Sequence, residues 1–126
     1  MAESKLRTSI RKVSPFANAI DMVGEISGTT EKVISEAYAQ ATAGRIMIVL
    51  LNFTQVAYMN SFGIGILTML IIRAQREGKR IVGYGLNEHY HRIFELTRLD
   101  QVIPIYESEE VALAYVAPYD LPERES

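Results

Sequence analysis

Hydroxyls, imidazoles and carboxylates are the groups here that could carry chemistry, because the chain has no cysteine to serve as nucleophile, disulfide partner or zinc ligand. Ser61 stands out in YMNSFGIGIL, Tyr58 to Leu67, where one hydroxyl and two glycines interrupt an apolar run. A serine so placed caps a helix, belongs to a phosphate cradle, or offers a modifiable hydroxyl on a regulated surface. The cradle fares worst: no Gly-rich stretch has the phosphate-loop spacing with its lysine, and GYGLNE lacks the third glycine of a dinucleotide fingerprint. Gly83 and Gly85 read instead as sites of close packing at a strand end. His89 and His91 are the only imidazoles; two apart on a helix they diverge, so they share no metal as an i, i+4 pair would. Acidic ESEE, with Ser108 as a cap, reads as a charged first helical turn. Enzyme chemistry, a cofactor and a metal are therefore not expected.

The elements that must position Ser61 follow from periodicity. At 126 residues, 48% of them hydrophobic, the chain suits one compact domain with a substantial core. Thirteen basic and fifteen acidic residues are scattered, giving a net charge of −2 and no patch suited to nucleic acid or an anionic membrane. MAESKLRTSIRK lacks the apolar core of a signal peptide, and uncharged Ser61–Ile72 is too short to cross a bilayer, so a cytoplasmic protein is expected. Leu6–Val13 and Ala19–Ile26 read as a β-hairpin around SPFAN. SGTTEKVISEAYAQATAG follows as a helix, with Thr29 or Thr30 as cap, Gly44 as stop, and Val33, Ile34, Ala37, Tyr38 and Ala41 on one face. Continuously apolar Arg45–Leu51 predicts a central strand covered on both faces. Beyond it come a helix over Ser61–Glu77 stopped at Gly78, a strand RIVGYG, a helix over Asn87–Thr97, a short strand VIPIY and a helix over Ser108–Val116. Tyr90, Ile93, Phe94 and Thr97 repeat at helical spacing and are assigned to the core. No repeat is evident, and residues 117–126 form a Pro-bearing polar tail after a domain spanning 1–116. Alternating strands and helices predict an α/β fold: a mixed sheet of about five strands flanked by about four helices.

Within the Ser61 helix the sequence asks for more than capping. Asn60 and Ser61 are both good caps, and the pair together could satisfy the free amides of the first turn. Gly63 and Gly65, however, weaken a helix by about 1 kcal/mol each relative to alanine while letting another chain approach the backbone. At 100° per residue, Leu67, Leu70, Ile71 and Ala74 form a core stripe, whereas Phe62, Ile66 and Met69 fall on another side beside Arg73. The second stripe fits a docking surface or a further layer of the fold.

These residues resemble the STAS domain, the fold of bacterial anti-sigma factor antagonists, from about Ser9 to Val116. The resemblance is carried by VGEISGTT, by VLLNFTQVAYMNSFGIGIL across strand, loop and helix, and by HRIFELTRLDQVIPIYESEEVALA. It implies that Ser61 occupies the position phosphorylated by a partner kinase that is also the anti-sigma factor. It further implies that the unmodified domain binds this kinase and frees the sigma factor, while the phosphorylated domain lets go. The implied contact residues are Asn60, Ser61, Phe62, Gly63, Ile64, Gly65, Ile66, Met69 and Arg73. The loop departs from the family pattern: Asn60 replaces an aspartate, Phe62 a small residue, Asn52 a frequent strand-end acid, and Arg98 a common helix-ending glycine. A non-switching scaffold, self-associating as a homo-oligomer or held in a larger complex, and a small-ligand sensor module of the same fold stand as the alternatives.

Overall fold

The computed structural model describes residues 5–116, so the proposed tail at 117–126 lies outside the described residues. Leu6–Ser14 (β1) and Ala17–Ile26 (β2) form the expected antiparallel hairpin, turning at Pro15 and Phe16. Ile48–Met59 (β3), Arg80–Tyr84 (β4) and Ile105–Tyr106 (β5) then add in parallel, so the five strands stand in chain order, β1-β2-β3-β4-β5.

Helices Glu31–Ala41 (α1), Ser61–Arg76 (α2) and Glu88–Leu96 (α3) bridge successive parallel strands and pack on one face of the sheet. Their buried residues join Ile20, Val49, Leu51, Phe53 and Ile81 in the principal core. The expected stripe of α2, Leu67, Leu70, Ile71 and Ala74, is buried here. On the other face, Glu109–Val116 (α4) covers Ala17, Ala19, Ile48, Leu50 and Val82. Strand β3 is covered on both faces through Ile48–Leu51, which explains its uninterrupted apolar run.

Several boundaries differ from the sequence reading. β3 begins at Ile48 rather than Arg45 and continues through the stretch assigned to a loop, as far as Met59. Its pairing with β2 slips twice, Asp21↔Asn52 giving way to Val23↔Gln55 and Gly24↔Val56 to Glu25↔Tyr58, each time with an extra residue on β3. The bulges therefore bury Phe53, Val56 and Met59 at three-residue intervals, hiding the two-residue period of a strand. A 3-10 turn, Gly28–Thr30, precedes α1, with Ser27 at its head. Thr97 is exposed at the end of α3 instead of buried, its hydroxyl turned back to the Ile93 carbonyl. Arg98 adopts φ 61°, so the left-handed helix ending persists without glycine.

Candidate functional site

β3 delivers the chain to Asn60, which sits in extended conformation ahead of α2. Its side-chain Oδ1 accepts from the Gly63 amide at 2.8 Å, its carbonyl accepts from the Ile64 amide at 3.0 Å, and its own amide donates to the Ile26 carbonyl at 3.2 Å. Asn60 alone is thus the cap. Ser61 is the first residue of the helix, exposed, and its hydroxyl has no hydrogen-bond partner among the described residues. The expectation that the pair shares the capping is corrected, because the Asn60 amide oxygen reaches the first-turn amide unaided. Substituting an amide for a carboxylate at this position keeps the acceptor and removes the charge.

The two glycines have different causes. A Cβ on Gly63 would lie 2.1 Å from the Ile26 carbonyl oxygen, so the chain that approaches here is its own strand β2. Gly65 faces open space, and a Cβ added there would meet nothing within 4 Å. Phe62 is 73% exposed and Met69 65%, whereas Ile64 and Ile66 are half-buried against the core. A Cβ placed on Gly28 would touch the Phe62 Cβ at 3.5 Å, so the turn before α1 backs the exposed ring.

Farther along α2, the Arg73 guanidinium lies 4.7 Å above the Tyr38 ring, donates to Ser35 Oγ at 3.2 Å and pairs with Glu77 at 3.4 Å. Tyr38 also donates its hydroxyl to Glu77 at 2.8 Å. That hydrogen bond, with help from Arg73, holds the Glu77 carboxyl below its ordinary range, and burial pushes the Tyr38 phenol up. Between α1 and α2 lies a groove of about 860 Å³ bordered by Ile34, Phe62, Ile66, Met69, Arg73 and Arg76. The structure therefore brings Phe62, Gly65, Ile66, Met69 and Arg73 to one groove, and turns Gly63 inward.

Sequence reasoning missed a polar cluster on the opposite face. Arg11 donates to both oxygens of Asp21 at 2.9 Å and both of Glu109 at 2.8 Å, while Tyr84 donates to Glu109 at 2.6 Å. Asn52 Nδ2 donates to Asp21 at 2.8 Å, and its Oδ1 accepts from the Thr54 amide and hydroxyl. An aspartate at 52 would set two carboxylates against each other, so the amide suits this neighbourhood. The one available signal was basic Arg11 and acidic Asp21 on neighbouring strands, with ESEE as a third party. His91 lies 3.8 Å from Glu95, and the His89 ring packs edge-on against Tyr90. Among the described residues, no cluster of three ligand-type side chains could hold a metal, and no helix is long and apolar enough to cross a membrane.

A family model described as the STAS domain matches residues 11–112. The anti-sigma-B factor antagonist of Listeria monocytogenes is 28% identical over 86 residues, covering 68% of this chain and 75% of that protein, and that of Listeria innocua gives the same figures. Among solved structures, an anti-sigma factor antagonist from Mycobacterium paratuberculosis superposes with a TM-score of 0.75 at 20% identity, over 89% of this chain and 94% of that one. The unphosphorylated form of the anti-sigma factor antagonist SpoIIAA gives 0.62 at 18% identity, over 88% and 98%. At these identities the structural likeness speaks for the fold.

Proposed function

The chain belongs to the STAS domain family, and from that premise we propose that it is an anti-sigma factor antagonist, a cytoplasmic regulatory protein that works by binding rather than catalysis. Its partner is an anti-sigma factor with serine kinase activity. The partner docks on the start of α2, through Asn60 and Ser61 and the stripe of Phe62, Gly65, Ile66, Met69 and Arg73, with Gly63 and Ile64 shaping the first turn from beneath. Curated relatives that carry the antagonist name support this role.

The observation that carries the proposal is the division of labour at the helix start. Asn60 satisfies the Gly63 amide, which leaves the Ser61 hydroxyl exposed and unbonded beside a largely exposed phenylalanine. Phosphate on Ser61 adds close to two negative charges where the helix dipole and open amides favour an anion, so the fold tolerates it. A partner packed over Phe62 would have to bury that charge without a counter-ion, and it leaves. Modification thus acts on the complex while the domain stays folded.

The test is intact mass after incubation with ATP and the kinase that copurifies from the native cell. The expected result is a gain of one phosphate that Ser61→Ala abolishes, together with release of the kinase on modification. An unchanged mass, or a phosphate that maps elsewhere, would reject the switch.

A further inference from the structure

The groove between α1 and α2 has a direction. The helices lie side by side and run the same way: the turn before α1 meets Phe62 at one end, and Tyr38 meets Glu77 at the other. From Phe62 to Arg76 the α2 wall is about 21 Å long at 1.5 Å per residue, roughly four helical turns. Among its apolar residues, which also include Leu70 and Ile72, Phe62, Ile66 and Met69 recur at spacings of four and three, the pattern that receives the ridges of another helix. Both walls are helices with their backbone groups internally bonded, so an added strand would find nothing to pair with.

Charge distinguishes the two ends. Glu31 stands at the Phe62 end, exposed and without an ion pair or hydrogen bond among the described residues. At the far end Arg73 and Glu77 neutralise each other and are further held by Ser35 and Tyr38. Arg76, exposed and likewise unpaired among the described residues, is the cation left over. The side-chain charges thus repel an acid on an incoming helix at the Glu31 end and attract it at the Arg76 end.

Resting on the reading that the start of α2 binds a protein, we propose that this groove takes an amphipathic helix of the partner, with a carboxylate of that helix set against Arg76 and its uncharged end over Phe62. The arrangement also fits the switch, since phosphate on Ser61 adds charge at the end where the bound helix has none to match it.

The test uses two fluorescent synthetic peptides of about 16 residues, roughly four turns, each with a leucine stripe at helical spacing on a glutamine background. One carries a pair of glutamates in its first turn and the other a pair of lysines. Binding of both is measured by anisotropy to the whole chain, to Arg76→Glu and to Met69→Lys. Comparing the same peptides across protein variants cancels differences in their own helicity. The expected result is saturable binding of the glutamate peptide, with its advantage over the lysine peptide cut at least about tenfold by Arg76→Glu. Met69→Lys should weaken both. No saturable binding of either peptide, or an advantage indifferent to Arg76→Glu, would overturn the proposal. So would concentration-dependent dimerisation abolished by Met69→Lys, which would give the groove to a second copy of the chain. A Ser61 that is never modified would end the switch and leave the peptide result standing, so the two failures are separable.

Discussion

The carbonyl oxygen of Ile26 occupies the space beside Gly63, 2.1 Å from where a side chain would begin. That same oxygen accepts the Asn60 amide, so one strand-end carbonyl fixes both the entry to α2 and its closeness to the sheet. Gly63→Ala is expected to cost about 2 kcal/mol or more, because rigid backbone on both sides must move apart. Gly65→Ala, with open space around it, should instead stabilise by up to about 1 kcal/mol. Urea melts of the two variants check the contrast, and equal effects would mean that the approach at Gly63 is not tight.

The cap, Asn60, and the proposed phosphorylation site, Ser61, are adjacent residues, which makes the two roles separable by stability. Asn60→Ala removes the acceptor for the Gly63 amide and should cost about 1 kcal/mol. Ser61→Ala and Ser61→Asp should each stay within about 0.5 kcal/mol of the parent, since the hydroxyl has no hydrogen-bond partner among the described residues. In a pull-down with the copurified kinase, Ser61→Asp is expected to lose binding and Ser61→Ala to retain it.

Exposure ranks the residues of the stripe as probes. Phe62→Ala and Met69→Lys alter side chains that are mostly in solvent, and should weaken partner capture with thermal midpoints nearly unchanged. Ile66→Asp is a poorer probe, because that half-buried side chain packs on the core and a carboxylate there should lower the midpoint as well. Calorimetry beside the binding assay checks the distinction.

Acid should loosen α4. Arg11 holds the carboxyls of Asp21 and Glu109 below their ordinary ranges, chiefly through its hydrogen bonds, with Asn52 assisting the first and Tyr84 the second. A carboxyl depressed in the folded state contributes stability fully above its unfolded pKa, about 4, and that contribution is lost as pH falls through the lower native value. Stability should therefore drop as pH falls below about 4, and Glu109→Gln should flatten that part of the profile while leaving a less stable protein at neutral pH. Denaturant midpoints measured against pH check both, and an unchanged slope in Glu109→Gln would dissociate the cluster from acid sensitivity.

Much of the fold was legible because local signals agreed with one another. Asn60, Asn87 and Ser108 all head helices in the structure, and Gly44 and Gly78 adopt the positive φ expected of stops. The core stripe of α2 could be read from spacing alone, since a helix on a sheet needs a single buried face. The second half of β3 could not, because two bulges replace alternation with a three-residue interval. Nor could the inward role of Gly63, as a glycine in a first turn looks the same whether strand β2 or a stranger approaches it. The Arg11 cluster joins residues 98 positions apart in the chain, and no local pattern announces such a pairing.

Strands standing in chain order have a consequence for biosynthesis. As the chain leaves the ribosome, each new strand can add to an edge already made, and none has to be inserted between two others. The helices α1, α2 and α3 close the first face as they are made, but Ala19, Leu50 and Val82 wait on the second face for α4. A nascent chain whose strands have emerged ahead of α4 would hold a sheet with one apolar side bare, a substrate for a chaperone until the last described helix arrives.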